Sequence, residues 1–455
     1  MPKLFGTSGI RGIANRELTA ELALKVGLAL ATKAEGEKIL IGRDTRVSGE
    51  CLENALISGI LSAGINVGKL GIVPTPVLAY LTKRCKFDFG VMITASHNPP
   101  KYNGIKIFNK NGIALNMKQA EEIEQIIENK DFKLAEWNEI GECQDASHLI
   151  GEYIKLITKN VSFEKSWRIV VDPGCGATST LAPLIFRRLG CEVKAVNAQP
   201  DGFFPARSPL PDEESLKPLC RIVRELKADV GFAYDGDGDR MVAVDEKGNF
   251  APLDQTLALY SAHIIKKESG GIVVTHVEAS MCIDRAVEKA GGKVVRTKVG
   301  DVSIASAMQE HNAIFGGEPC GAWIHPKYHF CPDGILSSVL LLKMLEERRN
   351  RLSQLLEQIP YYPILREKVH CPNTLKDKVM EKVKQEIDSV FPDFREKLTV
   401  DGVRVSLSGG WVLVRPSGTE PLIRITAEAE RVDLADKIMQ KALQFVNRII
   451  REAKA

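Results

Sequence analysis

At 455 residues the chain is too long for one ordinary core and predicts three or four domains. Hydrophobic residues make up 44% and charged residues 26%, a globular balance, and a formal net charge of +3 with no basic stripe excludes nucleic acid as the natural partner. No window reaches transmembrane length, the N-terminus has no apolar signal core, and the ten cysteines hold no C-x-x-C pair; no membrane partner is expected, and free thiols in a reducing cytoplasm are.

Three stretches repeat one pattern. Each starts with a helix that ends in glycine and runs into an apolar strand: Ala63-Gly64-Ile65-Asn66-Val67, Leu189-Gly190-Cys191-Glu192-Val193 and Ala290-Gly291-Gly292-Lys293-Val294. A helical segment follows, then a strand too apolar to have a wet face: Phe89–Ile93, Val230–Ala233 and Ala313–Phe315. Each second strand leads into a loop of small and polar residues: Thr94–Pro99, Asp235–Arg240 and Gly316–Gly321. Open α/β sheets place ligands beyond the carboxyl ends of their strands, so three such loops point to three similar domains facing one cleft. The tail differs. Val403–Leu407 and Trp411–Val414 flank Ser408-Gly409-Gly410 like a hairpin, Leu422–Ile425 is a third strand, and an amphipathic helix runs from about Leu434 to Ile450. With the polar helical stretch around Asn373 to Ser389, this makes a small α+β domain.

The loops differ in chemistry. Ser96, followed by His97-Asn98-Pro99-Pro100, sits at a strand end on a rigid turn, although adjacent Ser and His side chains rarely meet as nucleophile and base. Asp235, Asp237 and Asp239, spaced by glycines, are an oxygen-only set suited to a hard cation such as Mg²⁺. The spacing mimics a calcium loop, but Arg240 stands where that loop needs glycine, and strands flank it instead of helices. An acidic hairpin turn is the plain alternative. Glu318, framed by Gly317 and Gly321, can accept hydrogen bonds from two neighbouring sugar hydroxyls, and a simple turn explains it equally well. Arg415, Ser417, Gly418 and Thr419, with Arg424 beyond, offer backbone N–H groups, hydroxyls and forked charge, a nest for a phosphate dianion.

In this order, these loops resemble the α-D-phosphohexomutase family along essentially the whole chain. Phe5-Gly6-Thr7-Ser8-Gly9-Ile10-Arg11-Gly12 is similar to the family's opening signature, Thr94–Lys106 to its phosphoserine loop and Asp235–Arg240 to its metal loop. Gly317–Gly321 resembles its sugar loop and Arg415–Pro421 its phosphate loop. The resemblance implies three similar α/β domains with mixed sheets plus a C-terminal α+β domain around a central cleft, set here at 1–150, 151–252, 253–365 and 366–455. It implies catalytic roles for Ser96, Lys106, Arg11 and His97, with Ser96 carrying phosphate and Lys106 the candidate acid/base. Mg²⁺ would be held by phosphorylated Ser96, Asp235, Asp237 and Asp239. Arg240, Glu318, Arg415, Ser417, Gly418, Thr419 and Arg424 would bind a hexose phosphate, with a hexose 1,6-bisphosphate as intermediate and activator.

One departure stands out. Some relatives have His where this chain has Ala322, so that acid/base cannot be carried over, and neither His325 nor His329 is assigned in its place. Phe5-Gly6-Thr7 and Thr297–Asp301 look more like phosphoglucosamine mutases, whereas Thr94 and Tyr102-Asn103-Gly104 look more like phosphomannomutase/phosphoglucomutase members. Glucosamine phosphate is the narrow preference. A phosphatase, betrayed by inorganic phosphate outrunning isomerisation, and a non-catalytic sugar-phosphate binder are the rival classes. Intact Ser96, Lys106 and the three aspartates speak against the binder. No helix presents an unpaired apolar face that would fix the oligomeric state, and a homo-oligomer stays open.

Overall fold

Three times over, a buried strand rich in Ile, Val and Phe is flanked by helices whose apolar sides cover it, which is what a two-faced core demands. In the computed structural model, which describes residues 4–6, 9–36, 38–418 and 420–454, the first unit contains β1 (Ile10–Ile13), α1 (Ala20–Lys33), β2 (Lys38–Arg43), α2 (Gly49–Ser62), β3 (Asn66–Ile72), α3 (Thr75–Arg84), β4 (Phe89–Ile93), β5 (Tyr102–Asn109), α4 (Met117–Asn129) and β6 (Cys143–Asp145). The second contains α5 (Ile150–Asn160), β7 (Arg168–Asp172), α6 (Leu181–Arg188), β8 (Glu192–Ala195), α7 (Lys217–Glu225), β9 (Val230–Tyr234) and β10 (Met241–Val244). The third contains α8 (Leu253–Lys267), β11 (Ile272–His276), α9 (Met281–Lys289), β12 (Lys293–Thr297), α10 (Asp301–Glu310), β13 (Phe315–Gly317), β14 (Trp323–Ile324), α11 (Gly334–Arg348) and α12 (Leu352–Leu356).

The sheets run β1-β5-β4-β2-β3-β6, β10-β9-β7-β8 and β14-β13-β11-β12. Neighbouring strands are parallel in β4-β2-β3-β6, β9-β7-β8 and β13-β11-β12, and the strand after the reactive loop returns antiparallel: β4 to β5, β9 to β10, β13 to β14. The three loops therefore occupy the same place in three equivalent sheets.

The fourth unit holds β15 (Ile364–His370), α13 (Lys376–Val390), β16 (Glu396–Leu398), β17 (Val403–Leu407), β18 (Gly410–Pro416), β19 (Leu422–Ala429) and α14 (Val432–Lys454). Its antiparallel sheet, β15-β19-β18-β17-β16, buries one face against α13 and α14 in a core of its own. The other face turns Trp411 and Leu413 onto Val277 and Met281 of the third unit. Arg404 lies 3.9 Å over the Trp411 ring and donates to the carbonyls of Val277 and Ala279, while Glu428 accepts from Met281 N at 2.7 Å.

Several expectations need correction. The strand expected at Ala313–Phe315 lies at Phe315–Gly317, so Gly316 and Gly317 are strand residues. Gly316 is kept bare because a Cβ there would meet Met308 Sδ at 2.3 Å. β8 and β12 are edge strands with half-exposed faces, since each has a neighbour on one side only. A boundary at 365/366 cuts β15, hidden by the consecutive exposed charges Arg366, Glu367 and Lys368; it pairs with β19 from Ile364 onward. Among the described residues no helix is long and apolar enough to cross a membrane.

The tightest helix contact in the first unit is α1 on α2. A Cβ on Gly27 would stand 2.3 Å from Leu56 O, and one on Gly59 2.2 Å from Leu24 O. Alanine for glycine in a helix interior ordinarily gains about 0.5–1 kcal/mol, but overpacking against backbone costs about 1–3 kcal/mol and should win here. Gly59→Ala is therefore expected to lower the urea midpoint of unfolding. An unchanged or higher midpoint would contradict the close crossing.

Candidate active site

The serine loop is built around Arg46. This guanidinium is 1% exposed, pairs with Asp44 at 3.0 Å, and donates to the carbonyls of Ser96, Asn98, Pro99 and Tyr102 at 2.7–2.8 Å. Thr94 Oγ1 donates to Asp44 Oδ2 at 2.7 Å and receives Ser96 N at 2.8 Å. The loop holds Ser96 at φ 50°, a left-handed backbone that side-chain-bearing residues seldom adopt. Its Oγ donates to Asp235 Oδ2 at 2.6 Å and lies 3.2 Å from His97 Nδ1.

The acidic loop reaches Ser96 from the second unit and is held by the units on either side. Thr75, at the start of α3, donates its N–H to Asp237 O (2.9 Å) and its hydroxyl to Asp237 Oδ2 (2.5 Å). Gly334, at the start of α11, donates to Gly238 O at 3.0 Å. Two helix N-termini thus face a loop of carboxylates, the favourable sign of the helix dipole. Gly236 must lack a side chain because a Cβ would lie 2.5 Å from Ser96 O. Asp235, Asp237 and Asp239 are buried and offer oxygens within 4.8 Å of one another.

Lys106 projects from β5, two residues beyond the partner of Arg11 on β1, and its Nζ contacts Asp237 Oδ2 at 2.9 Å and Asp239 Oδ2 at 2.7 Å. Burial works to lower the Lys106 pKa, but Asp237 and Asp239 outweigh it and the net shift is upward, so it stays an ammonium. Burial and the neighbouring Asp239 and Asp237 push Asp235 well up, whereas Lys106 and Thr75 overcome burial at Asp237 and bring it down. Burial, then Arg240 and Arg11, lower His97 to about 3, so its ring is neutral near pH 7.

A cavity of about 180 Å³ is lined by Arg11, Ser96, Lys106, Asp239, Arg240, Glu318, Ala322 and Arg415, together with Val299–Asp301 and Pro332. All four units thus contribute to one cleft. Arg11 donates to Asn98 Oδ1 at 2.8 Å. Arg240 donates its backbone N–H to Asp235 Oδ1 at 3.2 Å. Glu318 accepts from Gly300 N at 3.0 Å, and burial, then Asp301, raise it to about 7. Arg415 stands between Glu278 (2.6 Å) and Asp401 (3.0 Å).

Other expected site residues stay outside. Ser417 accepts from Glu420 N at 3.2 Å within its turn, Gly418 opens to solvent, and Arg424 pairs with Glu420 at 2.9 Å; none lines the cavity. Thr419, with Thr7 and Ser8 of the opening signature, lies outside the described residues. His325 and His329 are packed away on Ser337 (3.0 Å) and Asp333 (2.9 Å). Sequence reasoning missed Arg46, Asp44, Thr75 and Lys376, whose Nζ holds the carbonyls of Ser417 and Glu420, and it named the Thr297–Asp301 loop without giving Asp301 a role. A signal for two of them was present: Arg43-Asp44-Thr45-Arg46 puts a charge-rich run just after the apolar strand segment Ile39–Gly42.

Four family descriptions match along the chain: phosphoglucomutase/phosphomannomutase alpha/beta/alpha domain I at residues 2–134, domain II at 151–248, domain III at 252–362 and the C-terminal domain at 368–444. The chain is 45% identical to a probable phosphoglucosamine mutase of Pyrococcus abyssi, covering 100% of both. It is 45% identical to the phosphoglucosamine mutase of Methanocaldococcus jannaschii, covering 98% of both. A crystal structure of a phosphoglucomutase/phosphomannomutase family protein from Burkholderia thailandensis superposes with TM-score 0.88 at 28% identity, over 99% of this chain and 98% of that one.

Two outcomes test the site's construction. Arg46→Lys keeps the charge but loses the fork that spans four carbonyls, so turnover should fall at least roughly tenfold with the fold retained by circular dichroism. Unchanged turnover would deny the loop its dependence on that fork. Glu318 in the folded chain ionises only near 7, above its ordinary 4.5. The folded state then binds the extra proton, and stability should decline as pH rises between those values. Relative to Glu318→Gln, the loss should be on the order of 2–3 kcal/mol in urea titrations. Parallel pH curves for the two proteins would refute that protonation state.

Proposed function

The chain belongs to the phosphoglucomutase/phosphomannomutase family and is a phosphohexomutase, an intramolecular phosphotransferase of the isomerase class; we propose that Ser96 carries the phosphoryl group and that glucosamine phosphate is the preferred substrate. The observation that carries the first reading is the 2.6 Å contact of Ser96 Oγ with Asp235, at the mouth of a cleft shared with Arg11, Lys106 and Arg240. The names of the Pyrococcus and Methanocaldococcus relatives, matched along their length, support the second.

The three aspartates fit Mg²⁺: the set is all-oxygen and buried, and Asp237 Oδ1 and Asp239 Oδ1 are buried with no hydrogen-bond partner among the described residues. Mg²⁺ held by Asp235, Asp237, Asp239 and the phosphate on Ser96 would neutralise charge on the phosphoryl group.

Phosphoryl transfer needs charge stabilisation and in-line placement more than covalent help from protein groups. Arg11 and Arg240 supply fixed positive charge beside Ser96. Lys106, held as an ammonium, is suited to give a proton rather than take one. Glu318 receives sugar hydroxyls, and Arg415 takes the distal phosphate by exchanging its contacts with Glu278 and Asp401. As the phosphoserine P–O bond breaks, a new one forms to the substrate hydroxyl, the proton that hydroxyl gives up is balanced by the one Ser96 Oγ gains on leaving, and the product is a hexose 1,6-bisphosphate, which must turn end for end before its other phosphate returns to Ser96. That turn requires the fourth unit to lift, and the small apolar contact of Trp411 and Leu413 on Val277 and Met281 suits a hinge. The free cysteines fit a reducing cytoplasm.

The test is a ³¹P NMR assay with Mg²⁺, a trace of hexose 1,6-bisphosphate, and glucosamine, glucose or mannose 6-phosphate supplied separately. A 1-phosphate resonance should grow fastest with glucosamine; a faster rate on another sugar overturns that preference. Ser96→Ala should lose roughly a thousandfold or more in turnover while still binding sugar phosphate. Full activity in that variant removes the carrier role, and inorganic phosphate as the main product would make the chain a phosphatase.

A further inference from the structure

Two carboxylates that line the cleft are left without a cation. Asp301, the first residue of α10, borders the cleft and is partly exposed, and among the described residues its side chain makes no ion pair. Gly300, just before it, donates its N–H to Glu318 Oε1 at 3.0 Å, which ties both acids to one end of the cleft. The basic group within ion-pair distance of Glu318 is His276, at 3.9 Å, and burial brings its pKa down to about 3, so the ring carries no charge near pH 7.

The cations of the cleft are committed elsewhere. Lys106 lies on Asp237 and Asp239, Arg415 on Glu278 and Asp401, Arg240 approaches Asp239 at 3.9 Å, and Arg11 donates to Asn98. Carboxylates that share a site hinder each other's ionisation, and Asp301 is, after burial, the main cause of the rise at Glu318. Burial raises the Asp301 carboxyl too, against the pull of Lys106, while its place at the N-terminus of α10 favours the ionised form.

A positive charge brought by the substrate would relieve this pair. The three candidate sugars differ at carbon 2, where glucosamine has an ammonium and glucose and mannose have a neutral hydroxyl. A hydroxyl can donate one hydrogen bond but leaves the carboxylate charge unbalanced, whereas an ammonium supplies several N–H donors and the missing charge. A sugar held by Glu318 through its ring hydroxyls carries carbon 2 at the end of the cleft that Asp301 borders, and Ala322 fills that lining with no more than a methyl group. We propose that Asp301 binds the 2-ammonium of glucosamine phosphate, beside the hydroxyl that Glu318 holds, and so selects the sugar; this rests on the glucosamine preference already proposed.

The test is selectivity, read as kcat/KM for glucosamine 6-phosphate divided by that for glucose 6-phosphate, with the full-length enzyme, Mg²⁺ and hexose 1,6-bisphosphate. Asp301→Asn keeps the shape and removes the charge, and should lower the ratio at least roughly tenfold, the worth of one charge-assisted hydrogen bond. In the wild-type enzyme, where folding is not in question, the ratio should also fall as pH rises past roughly 8, where an amine of this kind loses its proton and Glu318 is already ionised. An unchanged ratio in Asp301→Asn, or a wild-type ratio that stays flat or climbs above that pH, would overturn the assignment. A wild type faster on glucose would refute the substrate preference instead, because the shift between the two proteins is read whichever sugar leads.

Discussion

One buried guanidinium organises the reactive end of this molecule. The backbone of the Ser96–Tyr102 turn directs four carbonyls inward, away from solvent, where each would be costly to leave unpaired. Arg46 satisfies Ser96, Asn98, Pro99 and Tyr102 at once, and Asp44 balances its charge. Because a guanidinium is planar and forked, the four carbonyls have little freedom to drift. Ser96 is thereby kept in a left-handed conformation that its own preferences oppose, with Oγ turned toward the second unit.

What Ser96 meets there is a problem of like charges. Three buried carboxylates within reach of one another repel strongly, and two means of relief are visible. Lys106 lies against Asp237 and Asp239, and the N-termini of α3 and α11 abut the loop. These partners come from the first and third units, so the acidic loop, although a hairpin turn of the second unit, is stabilised by its neighbours. Charge compensation and domain assembly are the same set of contacts. The fourth unit is different in kind: it has a separate core and meets the third unit through a few apolar side chains, the buried charges of Arg404 and Glu428, and ion pairs such as Arg415 with Glu278 and Arg285 with Glu430.

Much of this was legible in the chain. Glycine-terminated helices followed by apolar strands gave the threefold repeat, because those residue types have few other uses in that order. The glycine-spaced aspartates, the serine before Asn-Pro-Pro and Arg415 each announced a loop with chemistry in it, and the cavity gathers Ser96, Asp239, Glu318 and Arg415. The reading failed where local pattern and tertiary use diverge. Arg424 looked like a second phosphate ligand because it follows a small-residue turn; in space its charge goes to Glu420. β15 was invisible because an edge strand with three consecutive exposed charges, Arg366, Glu367 and Lys368, lacks apolar alternation.

The sequence by itself determined the repeated α/β units, the different tail, and which loops bear reactive groups, since helix caps, strand hydrophobicity and ligand chemistry are local properties. Only the tertiary structure decided which of those groups share a cleft and in what protonation state. Glu318 near 7, His97 near 3 and Lys106 fixed as an ammonium follow from burial and from charges brought close by the fold, for His97 and Lys106 from more than a hundred residues away in the chain. Electrostatic energy depends on distance through space and on the exclusion of water, and neither quantity is written along the sequence.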